Sequence, residues 1–282
     1  MSTRRTPTER QRRLGAELRK LRTSADISTE FAAGLLGMDR TRIANMESGI
    51  RTINAERVRT LATNYACGDD AYIDALVAMA QSDAGWWERY RGSLPPGMLD
   101  IAEMEAHSVR MRGANTAHIP GVLQTADHAT AVFRVVVPKL PDHEVALRLA
   151  HRSERQQVIT GDNAIPYLAI IHEAALRMQF GGRDVARAQL DHILDLSERD
   201  NVTVLALPFT RGAFPGAGQN AVYAEGRVPQ LDTVQVDSLH GPAFLHTEAQ
   251  LVKYRAQLDW LEELALSPEE SRDFIRDIAH HL

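Results

Sequence analysis

Arg40, Thr41, Arg42 and Asn45 lie close together, directly after Gly37-Met38-Asp39. An arginine fork matches O6 and N7 of guanine, and an asparagine amide matches N6 and N7 of adenine; each such pair discriminates between bases by about 1–3 kcal/mol. Ser28, Thr29, Asp39 and Arg51 flank these four and complete the candidate set for DNA contact. Other residue groups suggest chemistry at first sight and lack the partners it needs. His172-Glu173 begins like a zinc-protease helix, but position 176, where the second histidine is required, is Leu176. His280 and His281 are adjacent, so on a helix they do not face one site. Gly212, Gly216 and Gly218 lie between two strand patterns rather than between a strand and a helix start, which argues against a phosphate cradle. Asp100, Glu103, Glu105 and the run Ser153-Glu154-Arg155 read as helix caps and ion pairs. No catalytic residue, metal ligand or cofactor is expected, and the chain is read as a non-enzyme.

The elements that would position the first group are short helices. Residues 9–24 carry Leu14, Leu18 and Leu21 at helical spacing, with basic residues on the other face. Ser28 is a good N-cap for a second helix that Gly37 ends, and Asp39 caps a third that Gly49 ends. A fourth helix is expected over residues 54–66 and a fifth over 70–82. The tight connection at Gly37-Met38-Asp39 makes helices two and three a helix-turn-helix. Ala33 is the small residue expected where the two cross. Ile43 and Met46 would face the core, leaving Arg40, Thr41, Arg42 and Asn45 outward, where a recognition helix meets base edges.

Charge follows the same division. Residues 1–66 carry 13 Lys and Arg against 7 Asp and Glu, a net +6, while the whole chain of 282 residues is −5. A basic head on an acidic body suits a protein whose head alone meets a polyanion, although a solvated basic helix face would look the same. No apolar run approaches the ~20 residues of a membrane span. The basic N-terminus has no apolar core behind it, so it is not a secretory signal. The single cysteine, Cys67, excludes an intrachain disulfide framework. A cytoplasmic protein is expected.

After residue 83 the character changes. Residues 84–97 combine Trp86, Trp87 and Tyr90 with a Ser-Leu-Pro-Pro-Gly turn and read as a linker whose aromatics pack on a domain or form a ligand cage. Residues 98–282 alternate helices and strands. Helices are expected over 98–112, 122–134, 142–159, 183–199, 247–265 and 268–281. Strands are expected at 116–120, 166–171, 202–208, 221–225, 233–237 and 243–246, in a sheet of about five strands. The fold class is α+β overall: an all-α head over residues 1–83, then a mixed α/β domain with a small sheet.

The head resembles the Xre (Cro/CI-type) helix-turn-helix family over residues 14–66, through Leu14-Gly15, Leu21-Arg22, Ser28, Ala33, Leu36-Gly37, Ile43, Met46-Glu47 and Gly49. The resemblance implies a structural ion pair between Arg22 and Glu47, phosphate contacts from Thr29 and Arg42, and base contacts from Arg40, Thr41 and Asn45. It departs from the family at Thr29, where a glutamine is common and reaches further. Residues 85–282 resemble the C-terminal domain of actinobacterial regulators labelled DUF5753, or Scr1-family antitoxin-like. The carrying pieces include Trp86-Trp87, Glu105, Ile119-Pro120-Gly121-Val122-Leu123-Gln124-Thr125, Arg152-Ser153-Glu154-Arg155-Gln156, Glu173-Ala174-Ala175-Leu176-Arg177, Leu207-Pro208-Phe209 and Leu266-Ser267-Pro268-Glu269-Glu270-Ser271. This resemblance implies a Streptomyces-like source and a small DUF397-type partner protein.

Together these readings describe a transcriptional regulator on a double-stranded DNA operator, controlled by a partner protein or ligand on its second domain; the alternative is a protein-interaction module or an enzyme fused to a helix-turn-helix head. An inverted repeat and a homodimer are expected, because one recognition helix reads only a few base pairs. Leu251, Tyr254, Leu258 and Leu261 form a helical stripe that suits either a dimer contact or the domain's own core. Pro120, Gly121, Gln124 and Thr125 are the candidate ligand or partner site, since a strand, a Pro-Gly turn and a helix start meet there; a plain turn with Val122 and Leu123 in the core is the alternative.

Overall fold

The computed structural model describes residues 6–81, 84–216 and 218–282. The chain divides into two compact units between Glu88 and Arg89.

The first unit is five helices: α1 Glu9–Ser24, α2 Thr29–Leu35, α3 Arg40–Glu47, α4 Ala55–Asn64 and α5 Asp70–Ala80. Each starts on a side-chain cap. Thr8 and Gln11 form a capping box, and Ser28, Asp39, Asn54 and Asp69 each accept from the backbone N–H three residues on. Such caps contribute about 1 kcal/mol each, which matters for helices of two or three turns. Leu14, Leu18, Ala33, Ile43, Met46, Val58, Leu61 and Leu76 are buried in the core. Arg13 and Glu17 are paired and buried on α1, and the Tyr72 hydroxyl of α5 donates to Glu17, tying the last helix to the first.

The second unit begins with α6 Pro96–Ala106 and β1 Arg110–Asn115, followed by α7 Ala126–Arg134, α8 Asp142–Arg155 and α9 Gln157–Thr160. Then come β2 Tyr167–His172, α10 Glu173–Arg177, α11 Arg183–Leu196 and β3 Val202–Leu207. β4 Ala221–Glu225, β5 Thr233–Val236, β6 Ala243–Leu245, α12 Glu248–Leu264 and α13 Pro268–His281 complete it. Among the described residues the sheet has six strands in the order β3-β2-β1-β4-β5-β6. β1, β2 and β3 are parallel, and β4, β5 and β6 extend the sheet antiparallel from β1. One face carries Met111, Tyr167, Ala169, Ile171, Val202 and Val204 against α11 and α13. The other carries Ala114, Ile170, Leu205, Tyr223 and Val234 against Leu251, Leu258 and Leu261 of α12.

Several expectations require correction here. The helix expected over 98–112 stops at Ala106, and residues 110–115 form the strand β1. The strand expected at 116–120 is a loop, whose Thr116 N–H donates to Asn220. β1 contains Gly113 and no β-branched or aromatic residue, with Met111 and Ala114 its apolar side chains, so its own residues favour no strand; pairing with β2 and β4 on both sides imposes it. The helix expected over 122–134 is a 3-10 turn at Gly121–Leu123 followed by α7, because Thr125 caps α7 by accepting from His128 N–H. The short helix α10 was not foreseen. Of the two readings of the stripe on α12, the domain's own core is the one seen, with Leu251, Leu258 and Leu261 buried against the sheet.

Candidate nucleic-acid interface

Helix α3 is held by its buried side. Ile43 and Met46 are in the core, and Gly15 of α1 lets the two helices touch: a Cβ at Gly15 would lie 2.4 Å from the Met46 carbonyl oxygen. The Arg22 guanidinium of α1 grips Glu47 at the end of α3 through Nε–Oε1 at 2.6 Å and Nη2–Oε2 at 3.0 Å. Its third arm donates to the Ile27 carbonyl in the turn before α2. Glu47 in turn raises the Arg22 pKa through this hydrogen-bonded contact. One arginine therefore fastens both the start of α2 and the end of α3 to α1. Gly37, at φ +60, reverses the chain between α2 and α3 with a left-handed turn that a side chain would strain.

The opposite side of α3 is open. Successive residues on a helix turn by about 100°, so Thr41 and Asn45 centre the face away from Ile43 and Met46, with Arg40 and Arg42 on its two flanks. Arg40, Thr41 and Arg42 are exposed and Asn45 is half-buried. The side chains of Arg40, Thr41 and Asn45 make no hydrogen bond within the described residues. Arg42 differs, because its Nε lies 3.3 Å from the Asp39 carboxylate, which also caps α3. Asp39 and Ser28 are thus committed to capping. Thr29 is half-buried at the start of α2, and Arg51 is exposed, with its N–H on the Asn45 carbonyl. Sequence reasoning missed Gly15 as the close approach, and it missed Phe31 and Ile50, which stay 59% and 49% exposed on the head.

In the second unit, Pro120 and Gln124 are buried, Gly121 is half-buried and Thr125 caps α7. The Gln124 amide donates to the Ile119 carbonyl at 2.8 Å and accepts from Arg152. The Gln189 amide of α11 holds the same turn, donating to the Leu123 carbonyl and accepting from Thr125 N–H, each at 2.7 Å. Two buried amides therefore clamp residues 119–125. Arg155 of α8 holds the buried Glu105 in a two-point pair, at 2.8 and 2.5 Å.

The remaining chemistry-bearing groups have structural tasks. His172 caps α10 through Nδ1, and Glu173 binds Arg177 and the Phe209 N–H. Gly212, Gly216 and Gly218 have positive φ in the connection between β3 and β4. His281 bonds the Asp277 carbonyl one turn back. Among the described residues no group of three metal-ligating side chains converges, and no helix is long and apolar enough to cross a membrane. Of the aromatics in the expected linker, Trp86 and Trp87 belong to the first unit and meet edge-on at 5.9 Å, while Tyr90 belongs to the second, packs edge-on against His151 at 5.3 Å and donates to Glu154.

Comparison with known families divides the chain in the same way. A family model described as a helix-turn-helix domain, HTH_31, matches residues 13–76, and one described as a domain of unknown function, DUF5753, matches residues 98–277. No curated protein and no solved structure matches the chain.

Proposed function

The chain belongs to the DUF5753 family and carries a helix-turn-helix domain ahead of that region, and from this premise we propose that it is a sequence-specific, DNA-binding transcriptional regulator. The observation that carries the reading is the outward face of α3. Arg40, Thr41 and Asn45 offer free hydrogen-bonding groups there, on a helix fixed from behind by Arg22, Glu47 and Gly15. A reader needs this combination, because discrimination by bidentate contacts requires side chains whose backbone does not move. Arg40, Thr41 and Asn45 read bases. Arg42, Thr29 and Arg51 contact phosphates, and Asp39 and Ser28 orient the helix starts.

The operator is an inverted repeat bound by a homodimer, and the second unit receives a signal from a small partner protein or a ligand. This regulatory part rests on the Xre and Scr1-type resemblance, which also suggests the antitoxin-like role and the actinobacterial setting. The exposed Phe31 and Ile50 favour a second reading, in which the head also docks protein.

The test is selection of full-length protein on random-sequence duplex DNA, repeated with Arg40→Ala. Enrichment of a two-fold symmetric site that the variant does not enrich is expected. A wild-type selection that returns no sequence preference would overturn the DNA reading and leave the docking one.

A further inference from the structure

Three arginines in this protein can be compared edge for edge. Arg22 and Arg155 each use the Nε and Nη2 side of the guanidinium to hold a carboxylate at two points, Glu47 and Glu105 respectively. Arg152 sits one turn before Arg155 on α8, and its Nη1 donates to the Gln124 amide oxygen. Among the described residues the Nε and Nη2 edge of Arg152 makes no hydrogen bond, although its Nε is buried. No carboxylate lies within ion-pair distance of it among the described residues. The guanidinium instead stacks on the Phe133 ring at 4.8 Å. Gly121 makes room for it, since a Cβ there would come within 3.1 Å of Nη1.

The surroundings repeat this pattern of unused polarity. His128 is 1% exposed, and both of its ring nitrogens lack a hydrogen-bond partner. His118 and His128 both pack on the Phe180 ring, at 5.1 and 5.4 Å. Asn115, the last residue of β1, is buried with its side-chain oxygen unpartnered. The 116–121 loop leads from there to Gly121, at the carboxyl end of the parallel strands, where α/β sheets bind their ligands. Buried polar groups are nearly always satisfied, so Arg152 and His128, close enough for each charge to act on the other, call for a partner outside the chain. Burial holds the Arg152 pKa down to about 9, with Arg155 adding to the shift, while Glu105 and Asp237 oppose it.

We propose that Arg152, with His118, His128 and Phe180 beside it, binds a small organic monocarboxylate, which takes the two-point contact on Arg152 that Glu47 and Glu105 make on its counterparts. One unpaired guanidinium edge matches the two oxygens of a single carboxylate and favours one negative charge over a phosphate dianion. The flanking rings of Phe180, His118 and His128 favour a planar or apolar body behind the carboxylate. The proposal deepens the reading of the second unit as a receiver of signals, but it concerns binding alone and is tested without DNA, so the two fail separately.

The experiment is calorimetric titration of the full-length protein with acetate and benzoate, each against its neutral amide, acetamide and benzamide, and against inorganic phosphate. Saturable binding of a carboxylate, at least about tenfold tighter than its amide and than phosphate, is expected. Arg152→Met should abolish that preference and melt close to the wild type, since removal of an uncompensated buried charge offsets the lost bond to the Gln124 oxygen. Equal affinity for acid and amide, preference for phosphate, or no saturable binding of either acid would overturn the proposal, and these need no variant. A lower melting temperature for Arg152→Met, with carboxylate binding retained, would assign Arg152 to structure instead.

Discussion

Gly15 of α1 lies directly on the last turn of α3, where the carbonyls of Met46 and Glu47 would stand 2.4 and 2.6 Å from a Cβ. Backbone meets backbone at this point, so no rotamer change relieves an added methyl. Gly15→Ala therefore sets two effects against each other. Alanine improves helix propensity by about 1 kcal/mol, and the overlap costs about 1–3 kcal/mol as α1 and α3 separate. Backbone overlap wins: lower amide protection in both helices and weaker DNA binding are expected, measured by hydrogen exchange and anisotropy on the full chain. Unchanged protection would show that the helices do not cross at Gly15.

The Arg22–Glu47 pair makes a second, separable prediction. Both side chains are about nine-tenths buried, and Arg22 also reaches the Ile27 carbonyl. Removing one partner of a buried pair leaves the other charge uncompensated, at a cost of about 3–5 kcal/mol. Glu47→Ala should lose that much stability in the head, seen as a drop in exchange protection of α1–α3 with the second unit unaffected. Intact protection with loss of DNA affinity would make Glu47 a DNA-facing residue and not a strut.

The head was largely legible in the sequence because its signals are local. Ser28, Asp39 and Asn54 cap helices, Gly37 ends one, and Ile43 and Met46 mark the inward side of α3. Gly15 was not legible, since a helical glycine shows its purpose only when the helix it touches is known. The second unit divides likewise. β2 and β3, rich in branched apolar residues, declare themselves, whereas β1 is a strand only because β2 and β4 hydrogen-bond to it. The turn at residues 119–125 was recognisable, but Arg152, 28 residues after Gln124, became part of the same site only through the fold.

For the proposed reading face, the two flanks of α3 should behave differently. Arg40→Ala and Asn45→Ala should each weaken operator binding by about 1–3 kcal/mol and relax preference at one base pair. Arg42→Ala should weaken operator and random DNA alike, lowering the salt slope by about one. Its loss should be at the mild end, because Asp39 already holds Arg42 3.3 Å away. The check is binding to a set of single-base operator variants at several salt concentrations. If Arg40→Ala and Arg42→Ala lost affinity equally on every sequence, α3 would not be reading bases.

The second unit should lose stability on mild acidification. Burial lowers the His128 pKa to about 4, with His118 and Arg152 adding to the shift, and lowers His151 to about 3, with Arg155 and Arg152 adding. In the unfolded chain both return towards about 6.5. Between these values the unfolded state binds more protons than the folded one, so stability falls as pH drops below about 6.5 and levels off only near the folded pKa values. The slope is about 1.4 kcal/mol per pH unit for each such histidine. Carboxylates that gain from folding, such as Glu173, whose pKa is lowered, weaken the fold only at still lower pH, so the window from about 6.5 to 5 belongs to the histidines. Urea titrations at several pH values in that window, followed by hydrogen exchange in α7 and α8, should show the decline. His128→Phe, which keeps the ring beside Phe180 and removes the proton site, should make it shallower by one histidine's share. A profile that is flat from pH 6.5 to 5 in the wild type would mean that neither histidine is held neutral by its burial.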